Sequence, residues 1–146
     1  MVRIEKSIEI KATPDKVWEM LALDRLPEWM DVVEMKSAKY TSEVRKPEDK
    51  YRVGSTAHVI EKRWEYELDI MESLKNEKIS VRSRGKYLLN MTFNLKPVNE
   101  RTKFTLALNA EMPWGVLGKA IGSISGGYFG KEVNKALEKL KSILEK

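Results

Sequence analysis

The sequence contains no cysteine, which removes disulfides, thiolate nucleophiles and thiolate metal ligands together. It has one histidine, His58, so an imidazole-based metal site has no second ligand of its own kind, and no metal is expected. No phosphate loop, dinucleotide fingerprint or zinc spacing occurs, and no cofactor is expected. Ser123 and Ser125 have no histidine and carboxylate context, which leaves nucleophilic catalysis without support. The N-terminus, Met1-Val2-Arg3-Ile4-Glu5-Lys6, alternates charge where a secretory signal needs an apolar run, so a cytoplasmic protein is expected. A long apolar span is also missing. The stretch 112–130 has little charge but holds six glycines and a central Lys119, which leaves too little apolar length to cross a bilayer, and no stable membrane insertion is expected.

What is present fits one domain. The chain has 146 residues, 42% of them hydrophobic, enough to bury more than half of the surface exposed when unfolded. Charged residues make up 34% of the chain and are mostly Lys and Glu, a balance compatible with a heat-adapted source. The net charge of +5 is uneven: residues 1–35 are acidic, and 36–63 and 72–103 are basic. The basic residues fall among loops and alternate strand positions without a recognisable binding module. A solvated surface is therefore preferred to a nucleic-acid face, and no nucleic acid is expected as partner.

Hydrophobic periodicity sets the order of elements. Val2, Ile4, Ile8 and Ile10 alternate with Arg3, Glu5, Ser7 and Glu9, the mark of a half-buried strand. Thr13-Pro14-Asp15 supplies a cap residue, a proline at the first helical position and an acid in the first turn. Val17, Trp18, Leu21 and Leu26 give that helix an apolar side; Pro27 ends it, and a second short turn follows around Trp29. From there to residue 112 the period is mostly two, and it predicts further strands at 32–41, 53–62, 64–73, 77–84, 87–97 and 102–112 after the first at 2–11. Turn residues at Lys46-Pro47-Glu48-Asp49, Lys75-Asn76-Glu77, Arg84-Gly85-Lys86 and Asn99-Glu100-Arg101 separate them as a meander requires. The inward face of the second and third strands stays open, and with it the facing of His58. Residues 116–145 return to helical spacing through Leu117, Ile121, Ile124, Tyr128, Val133, Leu137, Leu140 and Leu144.

The fold class is therefore α+β: a seven-stranded curved antiparallel sheet wrapped around a long C-terminal helix, with two short helices after the first strand. Only the terminal helix is long enough to cover the sheet, and a cavity of about 300 Å³ or more between them is expected. Its candidate ligand-binding residues are Trp64, Tyr66, Tyr87, Met91, Phe93, Leu106, Leu108 and Met112 from the sheet, facing Leu117, Ile121, Ile124 and Tyr128. Ordinary core packing explains the same residues, and the two readings merge if the core holds a cavity. His58 is a candidate base only if it faces that cavity. Glu65, Glu67 and Asp69 share a polar strand face that exposure to water explains. Glycines 118, 122, 126 and 130 place a bare strip along the helix, suited to close packing, to subunit pairing or to a movable wall over the cavity.

The run Ile8-Glu9-Ile10-Lys11-Ala12-Thr13-Pro14-Asp15-Lys16-Val17-Trp18, followed by Leu26-Pro27-Glu28-Trp29, resembles the opening of START-related polyketide cyclase and lipid-transport proteins. Val53-Gly54-Ser55 and Met112-Pro113-Trp114-Gly115-Val116-Leu117-Gly118 are also similar to that family, so the resemblance spans essentially the whole chain. It implies the helix-grip fold and a hydrophobic small molecule, such as a lipid, isoprenoid or polyketide-like compound, in an internal cavity without metal or nucleotide. It also places Trp29 near the cavity mouth as a ligand contact. The alternatives it leaves open are a polyketide cyclase or aromatase-type enzyme and a co-chaperone-like interaction module. No catalytic residue transfers from the family, and the oligomeric state is open.

Overall fold

In the computed structural model, residues 2–30, 35–61, 65–85, 88–110 and 128–146 are described. β1 (Val2–Ile10) leads into α1 (Pro14–Glu19) and a 3-10 helix (Leu23–Glu28). Six strands follow: β2 (Met35–Tyr40), β3 (Thr56–Glu61), β4 (Glu65–Leu74), β5 (Lys78–Arg84), β6 (Leu89–Val98) and β7 (Arg101–Ala110). The terminal helix, here α2, is described over Tyr128–Leu144. The expected start of that helix at 116, and the glycine strip except Gly130, lie outside the described residues.

All seven strands form one antiparallel sheet in the order β1-β7-β6-β5-β4-β3-β2. β1 leaves the sequential meander to pair with β7, from Val2 opposite Ala110 to Ile10 opposite Thr102. Register shifts at Met35/Ser37 and Ile70/Glu72 mark bulges that locally increase the bend and twist of β2 and β4. Two tight turns use asparagine where the backbone is left-handed, Asn76 between β4 and β5 and Asn99 between β6 and β7. Asparagine tolerates that region better than most residues because its short amide bonds locally to the backbone.

The alternation read from the sequence is the alternation observed. Along β4, Tyr66, Leu68 and Ile70 are buried, while Glu65 is exposed and Glu67 and Asp69 are partly so. β3 settles inward through Ala57, Val59 and Glu61, which turns His58 and Ile60 to the outer face. β2 does not alternate cleanly; its bulge brings Met35 and Ala38, three residues apart, to the core side.

α2 covers the inner face through Val133, Ala136, Leu137 and Leu140, the i, i+3, i+4, i+7 stripe of an amphipathic helix, and packs beside β1. Its last turn is tied down: Lys141 donates to the Glu9 carbonyl at 2.9 Å, and the Lys11 amide donates to Glu145 at 2.9 Å. The short helices are also fastened. Tyr40 Oη accepts the Leu23 amide at 2.8 Å and donates to the Lys50 carbonyl at 2.7 Å, joining the first 3-10 helix to a second one at Pro47–Tyr51. The sequence showed 46–49 only as a turn. Thr102, fully buried, donates to the Ala12 carbonyl at 2.7 Å and fixes the lead into α1 against the start of β7. Among the described residues no helix is long and apolar enough to cross a membrane.

Candidate functional site

The concave face of the sheet is the candidate site. Six of the thirteen ligand-binding positions named from the sequence have described side chains, and all six are buried: Trp29, Tyr66, Met91, Phe93, Leu106 and Leu108. Antiparallel pairing explains how four of them meet. Met91 lies opposite Leu108 and Phe93 opposite Leu106, so β6 and β7 present two adjacent apolar pairs. Trp64, Tyr87, Met112, Leu117, Ile121 and Ile124 lie outside the described residues, as does the cavity expected between the sheet and 117–128. Tyr128 is the first described residue of α2, and its side chain lies outside the described positions.

Trp29 requires a correction. It does not stand at a rim; it is fully buried. Its ring meets Phe93 edge-on at 5.8 Å and Phe104 edge-on at 5.8 Å, and its indole N–H donates to the Met20 carbonyl at 3.0 Å. The 3-10 helix ending at Glu28 turns the indole inward, where its polar edge is satisfied and its faces close the core.

Glu61 and Tyr66 place polar groups beside the apolar interior. Val59 and Tyr66 are cross-strand partners, so Glu61, two residues beyond Val59, shares their face. Glu61 and Tyr66 are both buried, and the Tyr66 hydroxyl is within hydrogen-bonding reach of the Glu61 carboxylate. Burial first, then the neighbouring Glu61 carboxylate, hold the Tyr66 phenol well above its ordinary pKa, so it remains a protonated donor. Gly85 allows a close approach to β4, since a Cβ there would sit 3.1 Å from Tyr66 Cβ. Glu61 escaped the sequence reading. Its signal was the period-two set Ala57, Val59, Glu61, readable only once the facing of β3 is known.

His58 faces the other way. Its Nδ1 lies 2.7 Å from Glu67 and its Nε2 3.0 Å from Glu65 on the outer face, so the candidate base is absent from the interior. The hydrogen bond to Glu67, then that to Glu65, raise its pKa above the ordinary 6.5. Two carboxylates facing two ring nitrogens favour the imidazolium, in which both nitrogens donate. Because the folded-state pKa is the higher one, the stabilisation is complete below pH 6.5 and is lost as pH rises through the raised value. As the only histidine, His58 titrates alone in a proton NMR series. A midpoint above 6.5 in the native protein, falling in Glu67→Gln, is expected; a native midpoint at or below 6.5 contradicts the pairing.

A second concavity of about 670 Å³ opens on the surface between α1, residues 47–53 and the β4–β5 turn. Trp18 and Tyr51, stacked at 5.3 Å, form part of its wall. Its rim mixes Asp15, Glu19 and Glu48 with Arg52 and Lys75, which selects no single ligand charge.

The comparisons with known proteins agree with this architecture. A START superfamily protein from Mycobacterium smegmatis superposes with a TM-score of 0.71 at 13% identity, over 98% of this chain and 97% of that one. The Aha1 dimer from Colwellia psychrerythraea gives 0.68 at 18% identity over 99% and 97%. DynU16, from the dynemicin biosynthetic locus, gives 0.63 at 12% identity, over 99% of this chain and 48% of that one. At such identities the likeness shows the fold alone. A comparison with curated protein sequences returned no match. The sequence profile described as "Polyketide cyclase / dehydrase and lipid transport" matches residues 1–145. The seven-stranded sheet, the helix across it and this match over nearly the whole chain agree, and the chain belongs to the polyketide cyclase / dehydrase and lipid transport family.

Proposed function

We propose that the protein binds a hydrophobic small molecule, of lipid, isoprenoid or polyketide-like character, against the concave face of its sheet, and carries or sequesters it in the cytoplasm. The contacts would be Trp29 and the sheet and helix positions named from the sequence. The observation that carries this reading is the inner face of β6 and β7, where Met91, Phe93, Leu106 and Leu108 form a continuous apolar surface within a family described by lipid transport. Such a surface gives about 25 cal/mol for each Å² of apolar ligand area removed from water, without directional demands on the ligand.

Titration with N-phenyl-1-naphthylamine, a neutral apolar fluorophore, tests it. Saturable enhancement at about one probe per chain is expected, with a rise in thermal midpoint that follows ligand concentration; about 2.7 kcal/mol of stabilisation accompanies a concentration one hundred times Kd. Absence of both saturation and thermal shift would overturn the reading.

Tyr66 and Glu61 favour one second reading, a cyclase-type enzyme. A buried phenol held protonated and a nearby carboxylate could donate and accept protons on a bound polyketide. Turnover of a poly-β-carbonyl substrate, abolished in Glu61→Gln while probe binding persists, would select that reading over simple carriage.

A further inference from the structure

The surface concavity between α1, residues 47–53 and the β4–β5 turn shares no residue with the interior face, and its volume of about 670 Å³ is that of a small-molecule site. Apolar surface remains open on it. Val53 is 55% exposed and joins Pro47 and the half-buried Tyr51, whose ring is backed by Trp18, in its lining. The wall is held in place before any ligand arrives. The Tyr51 hydroxyl donates to the Glu19 carbonyl at 3.2 Å, and the Asp49 carboxylate accepts the Arg45 and Lys46 amides at 3.0 and 3.1 Å. A site fixed in this way loses little freedom on binding.

A rim that carries both signs suits a ligand that carries both, provided the signs are segregated. Asp15 and Glu19 lie four residues apart on α1, hence on one face, and Glu48 is in the first turn of the 3-10 helix Pro47–Tyr51. The cations are on the other bank. Arg52 follows that helix, where the Gly54 amide donates to the Ile70 carbonyl at 2.9 Å and the Ile70 amide to the Ser55 carbonyl at 3.0 Å. These bonds bring its end of the segment to β4, the strand that leads to Lys75. Arg52 bonds Asp49 through one nitrogen at 2.8 Å, which leaves further donors of its guanidinium for a ligand.

We propose that this concavity is a second binding site, for a short aromatic zwitterion of the dipeptide kind. The ligand ring packs on the Tyr51 wall, its ammonium faces Asp15, Glu19 and Glu48, and its carboxylate faces Lys75 and Arg52. A ligand with one charge meets attraction on one bank only, and a neutral one leaves both banks without a partner. The site does not depend on what the interior holds.

Four forms of one dipeptide test it by calorimetry at low salt: tryptophylglycine, its amide, its N-acetyl derivative and the N-acetyl amide. At about pH 6 the free amine is fully charged. Tryptophylglycine should bind about two- to fivefold more tightly than either singly charged form, the range for one solvent-exposed ion pair, and the advantage should shrink at high salt. Lys75→Glu should make the amide, the cationic form, the tightest, and Glu19→Lys should favour the N-acetyl derivative, the anionic one. Both residues are exposed, so the fold should tolerate either change. Equal affinity for the four forms, no saturable binding at millimolar concentration, or an unchanged order in Lys75→Glu would overturn the site. N-phenyl-1-naphthylamine should leave the dipeptide affinity unaltered. Mutual displacement would put the dipeptide in the interior and overturn a separate site, whereas dipeptide binding in the charge order given supports it even if the fluorophore does not bind.

Discussion

Trp29→Ala should lower stability by about 3–5 kcal/mol, the range for truncating a large buried aromatic. The indole packs edge-on against both Phe93 and Phe104, which are themselves stacked at 6.0 Å, so its loss opens a cavity beside two rings that cannot fill it without moving their strands. The Met20 carbonyl also loses its indole donor. Trp29→Phe should fall between the two, restoring ring contact but not the hydrogen bond. Urea denaturation with an unchanged m-value checks this. A loss under 1 kcal/mol in Trp29→Ala would mean that the indole is not integral to the core.

Leu137→Asp should be at least as damaging. Leu137 is fully buried in the middle of the stripe Val133, Ala136, Leu137 and Leu140 by which α2 covers the sheet. An aspartate there either carries an unpaired charge into the core or must be protonated, at several kcal/mol in either case. That approaches the whole stability of an ordinary domain, so the variant should populate unfolded chain at room temperature, seen as loss of the cooperative thermal transition. Glu138→Ala, one residue along on the exposed side, should change stability by no more than about 0.5 kcal/mol. Equal effects at 137 and 138 would mean that the helix is rotated from the orientation described.

Most of the sheet was legible because its strands have one wet face. Leu68 and Ile70 against Glu67 and Asp69, or Phe104, Leu106 and Leu108 against the residues between them, can be read only as period two. The turns were legible where the backbone needs an unusual conformation, as at Asn76 and Asn99. β2 was not, because its bulge breaks the alternation that a reader must use. The facing of β3 was not, because Ala57-His58-Val59-Ile60-Glu61 places an exposed isoleucine on one side and a buried glutamate on the other, the reverse of the usual assignment for both. That inversion hid the Tyr66 and Glu61 pair and left His58 as a candidate base. Trp29 was misplaced for a different reason. A motif fixes the order of residues along the chain, whereas the direction of an indole depends on the turn geometry between Leu23 and Trp29.

Native mass spectrometry of the protein isolated from its natural host without organic solvent tests the central claim most directly. The account predicts a species above the 16.9 kDa chain by the mass of one apolar compound of a few hundred daltons, within the size that pockets of this kind accept. Organic extraction should remove it. A chain found only at its own mass, and that also fails to take up N-phenyl-1-naphthylamine, would contradict the account.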